Sequence, residues 1–262
     1  MVVPNPFERG EAVMSPKLRR AAAAGQGDAE ITRHGEPVIT TEELAAGHGG
    51  VAVLQGINIE LRRGEVVALL GRNGAGKTTL LHTIAGLVPP LSGRLWINGA
   101  KPPAAFHARV RNGLGLVTEE RAVIRRLTVL DNLRLGRGPV EAALNRFPEL
   151  RPLGNRRAGL LSGGEQQMLA LAKLLAAEPS ALLIDELSLG LAPLIVERLL
   201  GEVRQAAVAG GAGVLLVEQQ PTTALRVADR AYVIAGGRIR LSGAADDLLA
   251  RQDEIEALYL AS

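Results

Sequence analysis

From about Val38 onward, short apolar runs alternate with longer stretches of helical spacing. Ile57, Ile59 and Leu61 alternate with polar residues, which predicts a half-buried β-strand. Helical spacing predicts a helix over 78–87 and further helices between about 120 and 178. Continuous runs rich in β-forming residues, which are typical of buried parallel strands, lie at 65–70, 181–184 and 213–217.

A glycine pair near the end of the chain predicts a β-hairpin. Gly236 and Gly237 separate short strands at 232–235 and 238–241, and another short strand at 95–98 ends at Gly99. Because strands and helices alternate over most of the chain, we expect an α/β fold with a mostly parallel sheet. The alternating strands early and late in the chain predict an antiparallel portion at one side of it.

Residues 1–36 differ from the rest of the chain. They contain Pro4, Pro6 and Pro16, an alanine run at 21–24 and charges of both signs, without a persistent period. We expect a disordered extension here, with a short helix around 17–24 as the alternative.

Composition narrows the classes of function. The 262 residues are 47% hydrophobic, yet no stretch reaches the roughly 18 uncharged apolar residues of a membrane helix. The lack of cysteine excludes disulfides and thiolate chemistry, and the lack of a signal-peptide core at the start predicts a cytosolic protein. A net charge of +3 and 2% aromatic residues argue against a nucleic-acid partner.

The segment 71–78 has the pattern Gly-x-x-x-x-Gly-Lys-Thr between a predicted strand and a predicted helix. Its glycines let backbone amides approach phosphate groups, and the helix dipole adds positive potential. Lys77 is placed to reach the β- and γ-phosphates of a nucleotide, and the Thr78 hydroxyl is placed to bind Mg²⁺. We therefore predict ATP binding by Gly71, Arg72, Asn73, Gly74, Ala75, Gly76, Lys77, Thr78 and Thr79.

The apolar run at 181–184 ends in two acids, Asp185 and Glu186. Phosphoryl transfer needs positioning and charge compensation more than covalent chemistry. Asp185 is the candidate ligand for Mg²⁺, and Glu186 is the candidate group that orients or deprotonates the attacking water.

The segment 161–167 reads Leu-Ser-Gly-Gly-Glu-Gln-Gln and precedes a predicted helix. Ser162 is a good N-cap, and Glu165, three residues later, completes a capping box. Two glycines weaken a first helical turn by roughly 1 kcal/mol each, but they bare its amides to an anion.

With this segment the chain resembles the ATP-binding subunits of ABC transporters from about residue 38 to its end, because 161–167 is that family's signature motif. The resemblance implies a P-loop NTPase cassette at 37–262, in which a helical subdomain spans about 113–176. It also implies that Ser162, Gly163, Gly164 and Glu165 contact ATP held by the phosphate loop of a partner cassette, in a head-to-tail dimer.

The segments 185–193, 217–220 and 257–260 narrow the resemblance to the second ATPase subunit of branched-chain amino-acid importers. It implies that Glu119, among the cofactor-binding and metal residues, senses Mg²⁺ and the membrane subunit, that Gln219 positions groups at the γ-phosphate, and that His48 stacks on adenine. The implied partners are a sister ATPase or a second copy of the chain, two membrane permeases and, through them, an extracytoplasmic solute-binding protein. The implied location is the cytoplasmic face of the inner membrane, as a peripheral protein.

Other functions stay open at this point. Urea and short-chain amide importers share the same subunit type, and a non-transport or degenerate ABC ATPase is a further alternative. The short stretch between Lys77 and Ser162 argues against the coiled-coil insertion of DNA-repair members. Leu187 stands where this family usually has a proline. It frees a backbone angle and adds an amide next to Glu186, so it bears on the orientation of Glu186 and on whether the site hydrolyses ATP.

Overall fold

A computed structural model describes residues 35–118 and 123–260 of the chain. The predicted ligand Glu119 and nearly all of the predicted extension at 1–36 lie outside these residues. Within them, Gly35 and Glu36 already exchange backbone hydrogen bonds of 3.0 Å with Arg63, so the fold includes residues just before the first strand.

The strands form two sheets. The first contains four antiparallel strands: β1 (Pro37–His48), β2 (Val51–Ile57), β3 (Glu60–Arg62) and β5 (Pro90–Ile97), with β1 paired to the other three. The second has the order β10-β9-β4-β8-β7-β6, built from β4 (Val66–Leu70), β6 (Leu114–Val117), β7 (Ala181–Asp185), β8 (Gly213–Val217), β9 (Arg230–Ala235) and β10 (Arg238–Ala244). All its pairings are parallel except that of β10 with β9, so the prediction of a mostly parallel α/β sheet with an antiparallel edge is confirmed.

The α-helices of the described residues lie between these strands or follow the last of them. They are α1 (Lys77–Ala85), α2 (Phe106–Arg111), α3 (Val129–Arg134), α4 (Val140–Arg146), α5 (Gly163–Leu175), α6 (Pro193–Val208), α7 (Pro221–Leu225), α8 (Ala245–Leu249) and α9 (Gln252–Leu260). Short 3₁₀ helices at Pro148–Leu153 and Ala158–Leu160 lie between α4 and α5. The predicted helix over 78–87 ends earlier, because Gly86 adopts a left-handed conformation (φ 84°) and caps it.

One predicted strand is divided in two. The alternation at Ile57, Ile59 and Leu61 predicts a continuous strand, but β2 ends at Ile57 and β3 begins at Glu60. The buried Thr41 hydroxyl donates to the Ile57 carbonyl (2.9 Å) and accepts from the Ile59 amide (3.0 Å). A side chain therefore joins both strand ends at the break, beside the 2.9 Å hydrogen bond from the Thr41 amide to the Ile59 carbonyl.

The core lies on both faces of the six-stranded sheet, and β4 shows how. Val66 packs with the helices α3–α6 on one face, whereas Val67 and Leu69 pack with α1 and the four-stranded sheet on the other. This period of two is the geometry of a strand buried on both sides. Among the described residues, no helix has the length and apolar character needed to span a bilayer.

Candidate active site

The phosphate loop joins β4 to α1, as the sequence predicts. The Lys77 ammonium is buried and donates to the carbonyl oxygens of Gly71 (2.7 Å) and Arg72 (3.0 Å). Burial lowers the pKa of Lys77, and the nearby carboxylates of Glu186 and Asp185 oppose that shift. The carbonyl oxygens of the loop therefore hold the Lys77 cation next to the loop amides that are expected to bind phosphate.

Two glycines of the loop are required by close approach. Gly71 has φ 154°, and a Cβ there would lie 2.5 Å from the Ile234 carbonyl oxygen. Gly76 has φ 102°, and a Cβ there would lie 2.6 Å from the Leu54 side chain. Any larger residue would push the loop away from β9 or from β2, so these positions fix its path.

A contact from the C-terminal helix reaches the start of the loop. The Tyr259 hydroxyl on α9 accepts a 2.8 Å hydrogen bond from the amide of buried Gly71. Burial raises the pKa of Tyr259, and this hydrogen bond opposes the shift. Residues 188 positions apart make the contact, and no local sequence signal marks it.

Asp185 lies at the end of β7 and is almost completely buried. The Thr78 hydroxyl hydrogen-bonds its carboxyl group, and burial raises the pKa of Asp185 more than that bond lowers it. Its Oδ1 atom is buried without a hydrogen-bond partner. A buried carboxylate oxygen without a partner beside a threonine hydroxyl fits the oxygen ligands that Mg²⁺ prefers.

Glu186 follows β7, and its side chain contacts that of Gln219, which lies two residues after β8. The Gln219 amide donates a 2.7 Å hydrogen bond to Glu186 Oε2. The Glu186 backbone is left-handed, with φ 53°, an uncommon conformation for a residue other than glycine. The sequence predicted that Glu186 and Gln219 both act at the nucleotide, but it did not predict the left-handed backbone of Glu186.

The loop, the acid and the glutamine line one cleft of about 460 Å³. Its walls include several predicted residues and two that sequence reasoning missed, Val53 and Leu189. Val53 precedes Leu54, which packs on Gly76, so only the fold brings it to the loop. The other lining residues are Asn73, Gly74, Gly76, Lys77, Thr78, Thr79, Glu186 and Gln219.

His48 lies at the exposed end of β1, beside the same loop. Its Nε2 atom is 3.5 Å from the Thr79 hydroxyl, at the limit of a hydrogen bond. His48 is not among the residues that line the cleft, so its stacking on adenine stays a prediction.

The segment 162–165 caps and begins α5, and none of its residues is among those that line this cleft. The predicted capping box is confirmed: Ser162 Oγ accepts from the Glu165 amide (3.3 Å), and the Glu165 carboxylate accepts from the Ser162 amide (2.6 Å). Gly164 has a packing role that the sequence did not reveal, because a Cβ there would lie 3.1 Å from Ile195 on α6. Ser162 itself is exposed at the helix N-terminus.

A phosphate loop after β4, acids after β7 and a cleft between them define a P-loop nucleoside-triphosphatase. Residues 54–188 match the family described as ABC transporter, which covers more than half of the chain. The chain belongs to the ABC transporter ATP-binding family, which is a family of ATPases.

The relatives of the chain include proteins with different transport roles. It is 38% identical over 212 residues to the high-affinity branched-chain amino acid transport ATP-binding protein BraG of Pseudomonas aeruginosa, covering 77% of this chain and 91% of that protein. It is 34% identical to the probable branched-chain amino acid transport ATP-binding protein LivF of Archaeoglobus fulgidus, covering 81% of this chain and 94% of LivF. The lipopolysaccharide export system ATP-binding protein LptB of Escherichia coli is 32% identical, over 85% of this chain and 96% of LptB.

Among solved structures, the fold is similar to that of the bacterial ABC transporter cassette MJ0796, which was determined as a dimer. The TM-score is 0.70 at 24% identity, and the match covers 79% of this chain and 98% of that one. At this identity the likeness supports the fold alone.

Proposed function

We propose that this chain is the ATPase subunit of an ABC importer for branched-chain amino acids. The observation that carries this proposal is the 38% identity to BraG across 91% of that protein. The similar identity to LptB makes lipopolysaccharide export the competing assignment, and importers of urea or short-chain amides remain the closer alternatives.

In the proposed reaction, the γ-phosphate of ATP lies between the loop amides and the segment after β7. Lys77 leaves the carbonyl oxygens of Gly71 and Arg72 for the phosphate oxygens, whose negative charge it offsets. Thr78 and Asp185 are the described residues that would hold Mg²⁺, with Glu119 as a further candidate. A bound Mg²⁺ supplies charge compensation for the β- and γ-phosphates.

Glu186 would act on the attacking water. Its carboxylate accepts a proton as the water oxygen bonds to the γ-phosphorus, and the bond from that phosphorus to the β–γ bridging oxygen breaks, which releases ADP and phosphate. Gln219 can donate a hydrogen bond but cannot take up a proton at neutral pH, so its role is to position Glu186. The intact pair of acids favours turnover over a cassette that only binds ATP.

We further propose that Ser162, Gly163, Gly164 and Glu165 complete the cleft of a partner cassette. Two observations support that arrangement: Ser162 is exposed, and none of these residues lines the chain's own cleft. The partner is a sister ATPase or a second copy, bound with two permeases at the cytoplasmic face of the inner membrane. An extracytoplasmic solute-binding protein would deliver the amino acid.

The test is purification of the full chain from native membranes with its bound partners, followed by ligand screening of the associated binding protein. Recovery of two permeases and a binding protein selective for leucine, isoleucine and valine supports the proposal. A binding protein selective for urea or amides would replace the solute. Recovery with lipopolysaccharide-export components, DNA or ribosomes would overturn the importer assignment.

A further inference from the structure

The ends of β7 and β8 are joined by more than strand pairing. The Glu186 amide donates a 3.0 Å hydrogen bond to the Val217 carbonyl, which continues the ladder one step past β7. Glu218 is the residue directly after β8, and its carboxylate contacts the segment after Glu186. The residue after that, Gln219, bonds the Glu186 side chain.

Glu218 accepts three hydrogen bonds from two consecutive residues. Its Oε1 accepts from the Ser188 amide (3.1 Å), its Oε2 accepts from the Ser188 hydroxyl (2.5 Å), and the Leu187 amide also donates to the carboxylate. The side chain is 1% exposed, and the proposed mechanism does not use it. A buried carboxylate is retained at such a place only when donors compensate for its lost hydration.

The segment that Glu218 holds by hydrogen bonds follows Glu186, a residue with strained backbone. Left-handed backbone at a residue with a side chain costs free energy and persists only where the surroundings determine it. Here the Val217 carbonyl fixes the peptide before Glu186, and Glu218 fixes the two amides after it. The strain at Glu186 is thus held from both sides by β8.

The hydrogen bonds to Glu218 require a residue with a backbone amide at position 187, and Leu187 supplies one. A proline at 187 would have no amide to donate to Glu218, and it would shift Glu186 toward extended backbone. Leu187 is also buried, so its side chain anchors the segment in the core below.

We infer that Glu218 is a positioning residue for ATP hydrolysis: through the amides of Leu187 and Ser188, it holds Glu186 in the left-handed conformation that directs its carboxylate to Gln219 and the cleft. The inference rests on the proposed role of Glu186. Glu218 touches neither nucleotide nor water in this arrangement, so it acts on the rate of the chemical step rather than on ATP binding.

The first experiment measures how strongly Glu218 protects the amides of Leu187 and Ser188, and it does not depend on ATP hydrolysis. Hydrogen exchange of the peptide spanning 185–192 is compared between the full chain and its Glu218→Gln variant, which keeps the side-chain shape but replaces one acceptor oxygen by a donor. Exchange at Leu187 and Ser188 is expected to be about tenfold faster, with strand 213–217 unchanged. Unchanged exchange at 187–188 would overturn the inference.

The second experiment measures steady-state ATP hydrolysis by the full chain. For Glu218→Gln, kcat is expected to fall about 10- to 100-fold, while the KM for ATP stays within about twofold of the original value. Ser188→Ala removes one donor and is expected to lower kcat less. Glu65→Gln, at a buried carboxylate that pairs with Arg230 at the far end of β4, is the matched control with unchanged kcat.

Two substitutions at position 187 distinguish the role of the Leu187 amide from that of its side-chain packing. Leu187→Pro is expected to lower kcat like Glu218→Gln, and the double variant to be little worse than either, because both act through one contact. Leu187→Ala keeps the amide and is expected to retain most of kcat; an equal loss in Leu187→Ala would assign the effect to packing and overturn the inference.

Glu186→Gln distinguishes the two proposals. Full turnover in that variant would refute the role proposed for Glu186, and with it the catalytic consequence of the hydrogen bonds to Glu218, whereas the exchange result would stand by itself. Loss of turnover in Glu186→Gln together with normal kcat in Glu218→Gln would refute the positioning role alone.

Discussion

Tyr259→Phe tests whether the C-terminal helix supports the phosphate loop. The change removes a single oxygen, the Tyr259 hydroxyl, which accepts from the Gly71 amide at 2.8 Å. The ring of Tyr259 still packs against the core cluster of β4, β9 and α8. The substitution therefore isolates one hydrogen bond at the residue whose carbonyl also binds Lys77.

The magnitude follows from the burial of Gly71. A buried amide left without an acceptor costs about 1–3 kcal/mol, and water can reach the half-buried Tyr259 position, so we expect about 1–2 kcal/mol. At about 2–4 °C per kcal/mol for a domain of this size, Tm falls by about 2–8 °C. Because ATP requires the ordered loop, we expect this loss of about 1–2 kcal/mol to weaken ATP binding about 5- to 30-fold.

The assay pairs thermal unfolding with equilibrium ATP binding on the full chain. The chain has two tyrosines, and the second supplies the control: the Tyr232 hydroxyl accepts from the Glu60 amide (3.2 Å), away from the cleft. Tyr232→Phe should lower Tm but leave ATP affinity unchanged. If Tyr259→Phe behaves in the same way, the contact serves only the fold and the reasoning is refuted.

The remaining predictions concern the site and the helix that supports it. Glu186→Gln should bind ATP and accumulate as a dimer with turnover reduced about 10²- to 10⁴-fold, measured by phosphate release and gel filtration; unchanged hydrolysis would contradict the base assignment. Lys77→Ala should lose nucleotide affinity in a titration, and normal binding would contradict its role. Asp185→Asn should raise Tm at neutral pH, because burial raises the pKa of Asp185 and so disfavours its ionised form. This gain in Tm should fade as the pH falls toward the ordinary aspartate pKa, where Asp185 becomes protonated. ATP binding by the variant should lose its Mg²⁺ dependence. Arg109→Met should lower the free energy of unfolding by about 2–4 kcal/mol in chemical denaturation. The reason is that the guanidinium donates to the carbonyls of Thr83 (2.9 Å) and Ile84 (2.6 Å) at the end of α1 and to that of Pro103 (2.7 Å). A loss below about 1 kcal/mol would refute this prediction.

The parts of the site that the sequence predicts are those with local chemistry. The phosphate loop occupies consecutive residues between a strand and a helix, so its glycines, Lys77 and Thr78 are recognisable without the fold. The capping box at Ser162 and Glu165 is equally local, because both partners lie within one helical turn. In each case the residues that interact are close in the sequence.

The parts that the sequence does not predict depend on distant contacts. Tyr259 reaches Gly71 through the packing of α9, and Val53 reaches the loop through the four-stranded sheet. The break between β2 and β3 depends on the Thr41 hydroxyl from another strand, which no alternation pattern encodes. Residue type also misleads at Glu186, since positive φ values favour glycine, asparagine and aspartate.

The strand order explains why these distant segments form one site. In the sheet, β8 lies between β4, which leads into the phosphate loop, and β7, which leads into Asp185 and Glu186. Since the carboxyl ends of parallel strands meet at one edge, the residues that follow β8 are the ones able to contact both neighbours. Gln219 lines the nucleotide cleft while it bonds Glu186, and Glu218 holds the backbone that follows. The segment after Glu186, where Leu189 is 45% exposed and lines the cleft, is therefore connected to the nucleotide site by hydrogen bonds from the end of β8 as well as by the cleft itself.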